Sequence, residues 1–338
     1  MTRSLTRKAS MISSDRLSRA LRVIAFVLAA FVCAGANVQA QTAKIPIRIG
    51  VIKITGITVI YAAQKLGYFA EQGLDATLTP ATNGEVLLNA LGAGDLDFTL
   101  AIPGTAMQAR DRAGQKVVLV LQNEVAHAQA PDQGAVLARI DSGITSMSQL
   151  GGKTIGYLSI GNQYSATVHD VLMKHGVDPK TVHEVEIPLA QMQGAMEKHT
   201  VDAVAALEPF VTIIGDSKQT RVLSWNYTEA VPSQPVGAFW AMEDWANKNP
   251  AIVKKFQTAV REATLYLETH PDDKVKLTQE FTGIQSNLLA HLIPDLWTNK
   301  VVRSDWEKMM KMMVQQNLIS SKLTFGEMVP ANAMDPGH

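Results

Sequence analysis

Six short turns hold the residues with the most chemistry to offer. They are Lys53 to Thr58, with Thr55 and Thr58; Thr82 to Gly84, with Asn83; Ile102 to Thr105; Ser159 to Tyr164, with Gly161 and Asn162; Pro188 to Gln191; and Glu208-Pro209. Amides, hydroxyls and glycines gathered in turns suit reversible hydrogen bonding of a small molecule. Bond making needs more. The chain has no Gly-x-Ser-x-Gly elbow and no HExxH pair, and its eight histidines are scattered. Gly151-Gly152-Lys153-Thr154 ends like a phosphate-binding loop, but the motif's first glycine position is Met147 and a strand is expected where a helix must follow. Gly92-Ala93-Gly94 precedes a strand instead of following one, so a dinucleotide fingerprint is unsupported. Met309, Met310, Met312 and Met313 read as helix-core packing before soft-metal chelation. The expectation is capture without turnover: no catalytic residue, no metal and no cofactor.

Two of these turns feed helix starts, at Glu85 and near Gln163. Free backbone N–H groups and the positive ends of helix dipoles are then expected to face the site, an arrangement that fits an anionic group. Each residue has a second reading. Thr82 and Asn83 cap a helix or bind; Asn162 and Tyr164 do the same one lobe over. Glu208 either fixes its turn by accepting backbone hydrogen bonds or takes an ammonium or a ring nitrogen. Trp240 is either core or ligand wall.

The elements that must position these turns alternate strand and helix. Ile47 to Ile52 reads as a buried strand, Val59 to Ala70 as a helix, Leu74 to Leu78 as a strand, Glu85 to Ala93 as a helix behind a Thr82-x-x-Glu85 capping box, and Asp97 to Ala101 as a third strand. A fourth strand, Lys116 to Gln122, precedes a polar, irregular crossover from Asn123 to Gln133. The same grammar returns after a strand at Gly134 to Arg139: strand Lys153 to Tyr157, helix Gln163 to His175, strand Val182 to Ile187, helix Leu189 to His199 and strand Val201 to Ala206. Arg221 to Trp225 ends that unit. Asn226 to Gln234 crosses back into the strand Val236 to Met242, and helices follow over Pro250 to Thr269, Pro271 to Phe281, Ile284 to Ile293 and Ser304 to Gln316. Such alternation argues for α/β lobes built on parallel sheets covered on both faces, and two crossings imply a two-stranded hinge. The six turns then lie at carboxyl ends of strands, where open α/β sheets place their ligands.

Three segments carry a family resemblance: Ala62 to Asp75 (AAQKLGYFAEQGLD), Leu88 to Asp97 (LNALGAGDLD) and Val201 to Phe210 (VDAVAALEPF). Together they resemble the periplasmic solute-binding proteins of nitrate, sulfonate, taurine and thiamine-precursor ABC importers, over roughly Lys44 to Asn317. The resemblance implies a two-lobed, type II-like periplasmic-binding-protein fold. Lobe 1 is expected over residues 41–131 and 232–338, and lobe 2 over 132–231. It further implies a monomer that captures a small solute, anionic by the helix-terminus argument, between the lobes at Thr55, Thr58, Asn83, Gly84, Thr105, Gly161, Asn162, Tyr164, Glu208 and Trp240. The expected partners are the transmembrane subunits of a permease with its cytoplasmic ATPase. Two alternatives share the fold: a sensory module on a signalling receptor, and a biosynthetic enzyme resembling fungal thiamine-pyrimidine synthases. Those synthases rely on a cysteine-rich segment.

The chain has 338 residues, and its only cysteine is Cys33. Arg3, Arg7, Lys8, Arg16, Arg19 and Arg22 precede the apolar run Val23 to Val32, and Val38-Gln39-Ala40 supplies small residues, which together read as a signal peptide cleaved after Ala40 for export to the periplasm. Cys33 as a lipid-attachment site is the alternative, but Ala30-Phe31-Val32 lacks the usual preceding pattern. Without residues 1–40, which carry six basic residues and one acid, 25 basic and 30 acidic residues remain, a net charge of −5. That balance gives no reason to expect nucleic-acid binding.

Overall fold

The structure, a computed structural model, describes residues 43–334. The expected signal peptide, its cleavage point and Cys33 lie outside the described residues. Eleven strands among the described residues form two mixed sheets. The first has the order β11-β4-β10-β3-β1-β2, with β1 at Ile45–Val51, β2 at Leu74–Pro80, β3 at Phe98–Ala101, β4 at Val117–Val125, β10 at Pro235–Met242 and β11 at Leu296–Trp297. The second has the order β7-β6-β8-β5-β9, with β5 at Gly134–Arg139, β6 at Thr154–Tyr157, β7 at His183–Glu186, β8 at Ala203–Leu207 and β9 at Thr220–Ser224.

Strands joined by helices run parallel: β1 with β2 and β3, and β6 with β7 and β8. Strands that carry the chain between sheets run antiparallel. Thus β10 pairs against both β3 and β4, and β5 against both β8 and β9. The mixed character follows from the crossings, because β4 exits towards the second sheet and β10 returns from it.

Each lobe has its own apolar packing. In the first, the helix Pro250–Thr269 turns Val253, Phe256, Val260, Ala263 and Leu267 inward at spacings of three and four. Phe256 stacks on Phe98 at 4.1 Å between ring centres. Such side chains contribute about 1.5–3 kcal/mol each by burial. The methionines of the helix Arg303–Gln315 face the core on the opposite side of that sheet. Val168, Val171 and Leu172 of the helix Gln163–Lys174 pack over the second sheet.

Four elements differ from their expected form. The helix over Val59 to Ala70 divides into Thr58–Lys65 and Tyr68–Glu71, because Gly67 takes a left-handed φ of +91°. Asn83, and not Thr82, caps the helix Gly84–Ala93. β4 continues through Val125, since its polar end is bonded: Gln122 Nε2 donates to the Lys300 carbonyl and Asn123 Nδ2 to that of Gly56. The helix expected at Ile284 to Ile293 shrinks to the single turn Ser286–Leu289, and the chain beyond it becomes an extended strap ending in β11. Pro294 has no N–H to continue a helix.

Near the hinge the lobes meet at Gly104. Its N–H donates to Gln163 Oε1 at 2.8 Å, and a Cβ there would lie 2.5 Å from Gln163 Cβ and 2.8 Å from the Met313 sulfur. Trp240 is fully buried in the first lobe, edge-on to Trp306, with its indole N–H donating to the Ala101 carbonyl at 3.0 Å. Trp240→Phe should therefore lower the unfolding free energy by about 1–3 kcal/mol through an unpaired carbonyl. Urea denaturation monitored by circular dichroism measures this; an unchanged midpoint would deny the indole its structural role.

Candidate functional site

The carboxyl ends of β1, β3, β6 and β8 converge on a cavity of about 100 Å³ between the two sheets. Its walls are mainly aliphatic, with Ile52, Ile54, Leu100 and Ile102 from one lobe and Leu158, Leu189 and Leu207 from the other. The Tyr164 and Tyr227 rings, edge to face at 5.0 Å, close its inner side. Across the outer mouth Ser159 Oγ donates to Glu85 Oε1 at 3.3 Å and Gln108 Nε2 donates to the Gly161 carbonyl at 2.7 Å.

Asn83, Gly84, Thr105, Asn162 and Tyr164 are brought together on this cavity. Thr55 and Glu208 line a recess of about 50 Å³ that continues it inward. Three residues stand apart. Thr58 and Trp240 are wholly buried and line neither space, while Gly161 lies on the outer seam of the lobes.

Several of the helix-terminus donors expected to face a ligand are engaged within the protein. Asn83 Oδ1 accepts from Val86 N at 3.0 Å. Asn162 Oδ1 accepts from Tyr164 N and Ser165 N, and Ser165 Oγ accepts from Gly161 N and Asn162 N. Gln163 closes Gly104 N as noted above, and the Tyr164 hydroxyl donates to the Ala206 carbonyl at 2.6 Å. Neither the cavity nor the recess has a lysine or arginine in its lining, whereas Glu85, Glu124, Glu208 and Asp295 contribute carboxyls. An anion meets no positive charge there. The caps leave fewer free donors at these helix termini than the sequence alone suggests.

Glu208 takes the first of its two sequence readings, as an acceptor of backbone hydrogen bonds. Its Oε2 accepts from Thr212 N, and its Oε1 accepts from the Thr212 hydroxyl and from Ile293 N at 3.0 Å. The carboxylate thus ties the end of β8 to the strap from Ile293 to Trp297. His127 Nε2 contacts the Pro294 carbonyl at 2.9 Å, the Thr55 hydroxyl donates to Asp295 Oδ1 at 3.0 Å, and β11 pairs with the end of β4.

That strap completes a feature missed in the sequence. Glu124, on β4 and buried, lies beside the half-buried Asp295, close enough for their carboxyls to interact. Burial first, then the adjacent Asp295 charge, pushes the Glu124 carboxyl well above its usual range. Gly56 makes room for it: a Cβ there would lie 2.5 Å from Glu124 Oε2. The sequence offers one clue, the polar run Gln122-Asn123-Glu124 closing an apolar strand. Nothing in it links Glu124 to a residue so distant in the chain, nor to Gln133 and Tyr227, which also line the recess.

The architecture is that of a two-lobed periplasmic-binding-protein fold. Its match to the periplasmic aliphatic sulphonate-binding protein of Escherichia coli has a TM-score of 0.71 at 17% identity, covering 86% of this chain and 99% of that one. The sequence pattern of the NMT1/THI5-like family matches residues 54–274, and the chain belongs to that family. A putative binding protein of Brucella abortus is 27% identical over 243 residues, 71% of this chain and 73% of its own. A 4-amino-5-hydroxymethyl-2-methylpyrimidine phosphate synthase of Saccharomyces cerevisiae is 27% identical over 245 residues, 68% of this chain and 67% of its own.

Two measurements test this geometry. Asn83→Ala and Asn162→Ala remove caps, so each should lower the stability of the ligand-free protein by about 1 kcal/mol in urea titrations; undiminished stability would return these residues to the pool of free donors. Glu124 binds its proton more tightly in the folded than in the unfolded chain. Its stabilising contribution is complete below the ordinary value of 4.5 and is lost as pH rises through the raised one. Glu124→Gln should therefore gain on the wild type as pH increases, by at most about 1.4 kcal/mol per pH unit. Parallel stability–pH curves for the two proteins would rule out a buried, protonated Glu124.

Proposed function

We propose that this chain is the solute-capturing component of an ABC-type importer. Exported to the periplasm, it closes lobe 1 (residues 41–131 and 232–338) and lobe 2 (residues 132–231) over a small solute. The closed form is then presented to the permease's transmembrane subunits, which a cytoplasmic ATPase serves. The single observation that carries this reading is the enclosed, aliphatic cavity between two lobes that hydrogen-bond to each other across its mouth. A ligand touching both sides shifts the equilibrium between open and closed forms by the difference in its affinity for them. Family membership and the likeness to a named binding protein and to a periplasmic sulphonate-binding fold add support. No helix among the described residues is long and apolar enough to cross a membrane.

The lining selects for a compact solute without net negative charge. An apolar cavity of about 150 Å³ holds a benzene, and the cavity of about 100 Å³ together with the recess of about 50 Å³ is of that scale. Bringing an anion beside buried carboxylates, with no cation to offset it, is opposed by both desolvation and repulsion.

The yeast relative favours a second reading, a synthase on the same fold. The one cysteine, Cys33, belongs to the expected leader, so the mature chain has none to serve the cysteine-dependent chemistry that this reading implies.

A thermal-shift screen of small neutral, cationic and anionic solutes tests capture. A ligand at 100 times its Kd stabilises by about 2.7 kcal/mol. The expected result is a shift with a compact neutral or cationic solute that disappears in Leu158→Trp, where a bulky ring fills the cavity, while the ligand-free melting temperature is retained. A shift that survives this substitution would place binding elsewhere.

A further inference from the structure

The recess at the inner end of the cavity differs from the cavity itself. Its polar lining is rich in acceptors: the Glu124 and Asp295 carboxyls meet there, beside the side-chain carbonyl of Gln133. Gln133 is more than nine-tenths buried, and its Oε1 has no hydrogen-bond partner. A buried acceptor left unpaired costs about 1–3 kcal/mol. A donor delivered by a ligand removes that cost. At about 50 Å³ the recess is of the scale of one hydrated-atom group, since a water molecule occupies about 30 Å³ in the liquid.

We infer that this recess receives the primary ammonium of a small amine whose one-ring apolar body fills the cavity. The inference rests on the proposed solute capture and names the class of solute. The reasoning is one of charge as well as geometry. Glu124 and Asp295 place two carboxyls and no cation in the lining, so negative charge in the recess is one that an ammonium offsets. An ammonium also brings three donors to a place supplied with acceptors. The ring face of Tyr227, which borders both spaces, adds a favourable surface for a cation.

The surrounding charges do not pre-empt that role. Lys274 acts through space on both Glu124 and Asp295, His127 on Asp295, and Asp132 on Glu124. Lys274 is set over the Trp297 ring, 4.2 Å from its centre, and is not part of the recess lining. Asp132 is occupied by His127 N, Gln133 N and the Thr228 hydroxyl. Glu208 is likewise occupied, by Thr212 and Ile293. Glu124, Asp295 and Gln133 are the groups with capacity to spare.

Benzylamine, benzyl alcohol and benzoate share one ring and differ in charge. Calorimetric titration of the mature protein at neutral pH should show benzylamine binding tighter than benzyl alcohol by about tenfold or more, with benzoate weakest. Asp295→Asn keeps an acceptor for Thr55 but removes the charge. It should lower benzylamine affinity by about tenfold or more and shrink the amine's advantage over benzyl alcohol. The wild-type comparison needs no variant and stands even if Asp295→Asn fails to fold. Equal affinity for amine and alcohol would overturn the ammonium assignment while leaving a neutral-solute cavity intact. Preference for benzoate would overturn it and the charge argument together. If none of the three binds at millimolar concentration, the assignment fails; the Leu158→Trp screen then separately decides whether the cavity captures any solute.

Discussion

The antiparallel pairing of β4 with β10 is the constraint on which the cleft depends. These strands lie side by side in the first sheet and carry the chain out to the second and back. Their pairing continues beyond the sheet, where Ala126 N donates to the Gln234 carbonyl at 2.8 Å. Asp132 then organises the outward crossing, its carboxylate bonded to His127 N, Gln133 N and the Thr228 hydroxyl. This fixes Gln133 and Glu124 at the inner end of the cavity. Bending there moves one lobe against the other without breaking either sheet.

Polar satisfaction then decides what kind of cavity the lobes enclose. Helix termini that face a cleft attract anions only while their N–H groups are free. Here Asn83, Asn162, Ser165 and Gln163 occupy several of those groups, and the surface left to the solute is mostly aliphatic. The acidic groups of the recess are concentrated instead at Glu124 and Asp295. Burial pushes both carboxyls above their usual range.

The alternation of strands and helices was legible because each element has a local signal. Apolar runs of strand length and capping residues such as Asn83 act over a few residues. Interactions over long distances in the chain were not legible. Asn83 and Asn162 have both cap and binding readings, and only their hydrogen bonds distinguish them. Glu208 looks like a ligand group until Ile293 is seen to occupy it. Glu124 and Asp295 have no shared pattern in the sequence, and the strap carrying Asp295 lies beyond the stretch that reads as a helix. Its last residues pair with β4, a tertiary interaction that overrides local preference.

The strap also bears on how quickly a captured molecule escapes. It touches both halves of the protein: Ile293 is bonded to Glu208 at the end of β8, whereas Leu296 and Trp297 are paired with β4. Any wide swing of the lobes must either break the Glu208 bond or drag the strap from its strand. A single hydrogen bond has a net worth of about 0.5–1.5 kcal/mol, and one to a charged group about 1.5–3 kcal/mol. Placed on the opening path, the latter value lengthens the residence time by about tenfold to a hundredfold without adding any contact to the solute. Retention is then tuned outside the binding surface, by a backbone N–H that the solute never meets.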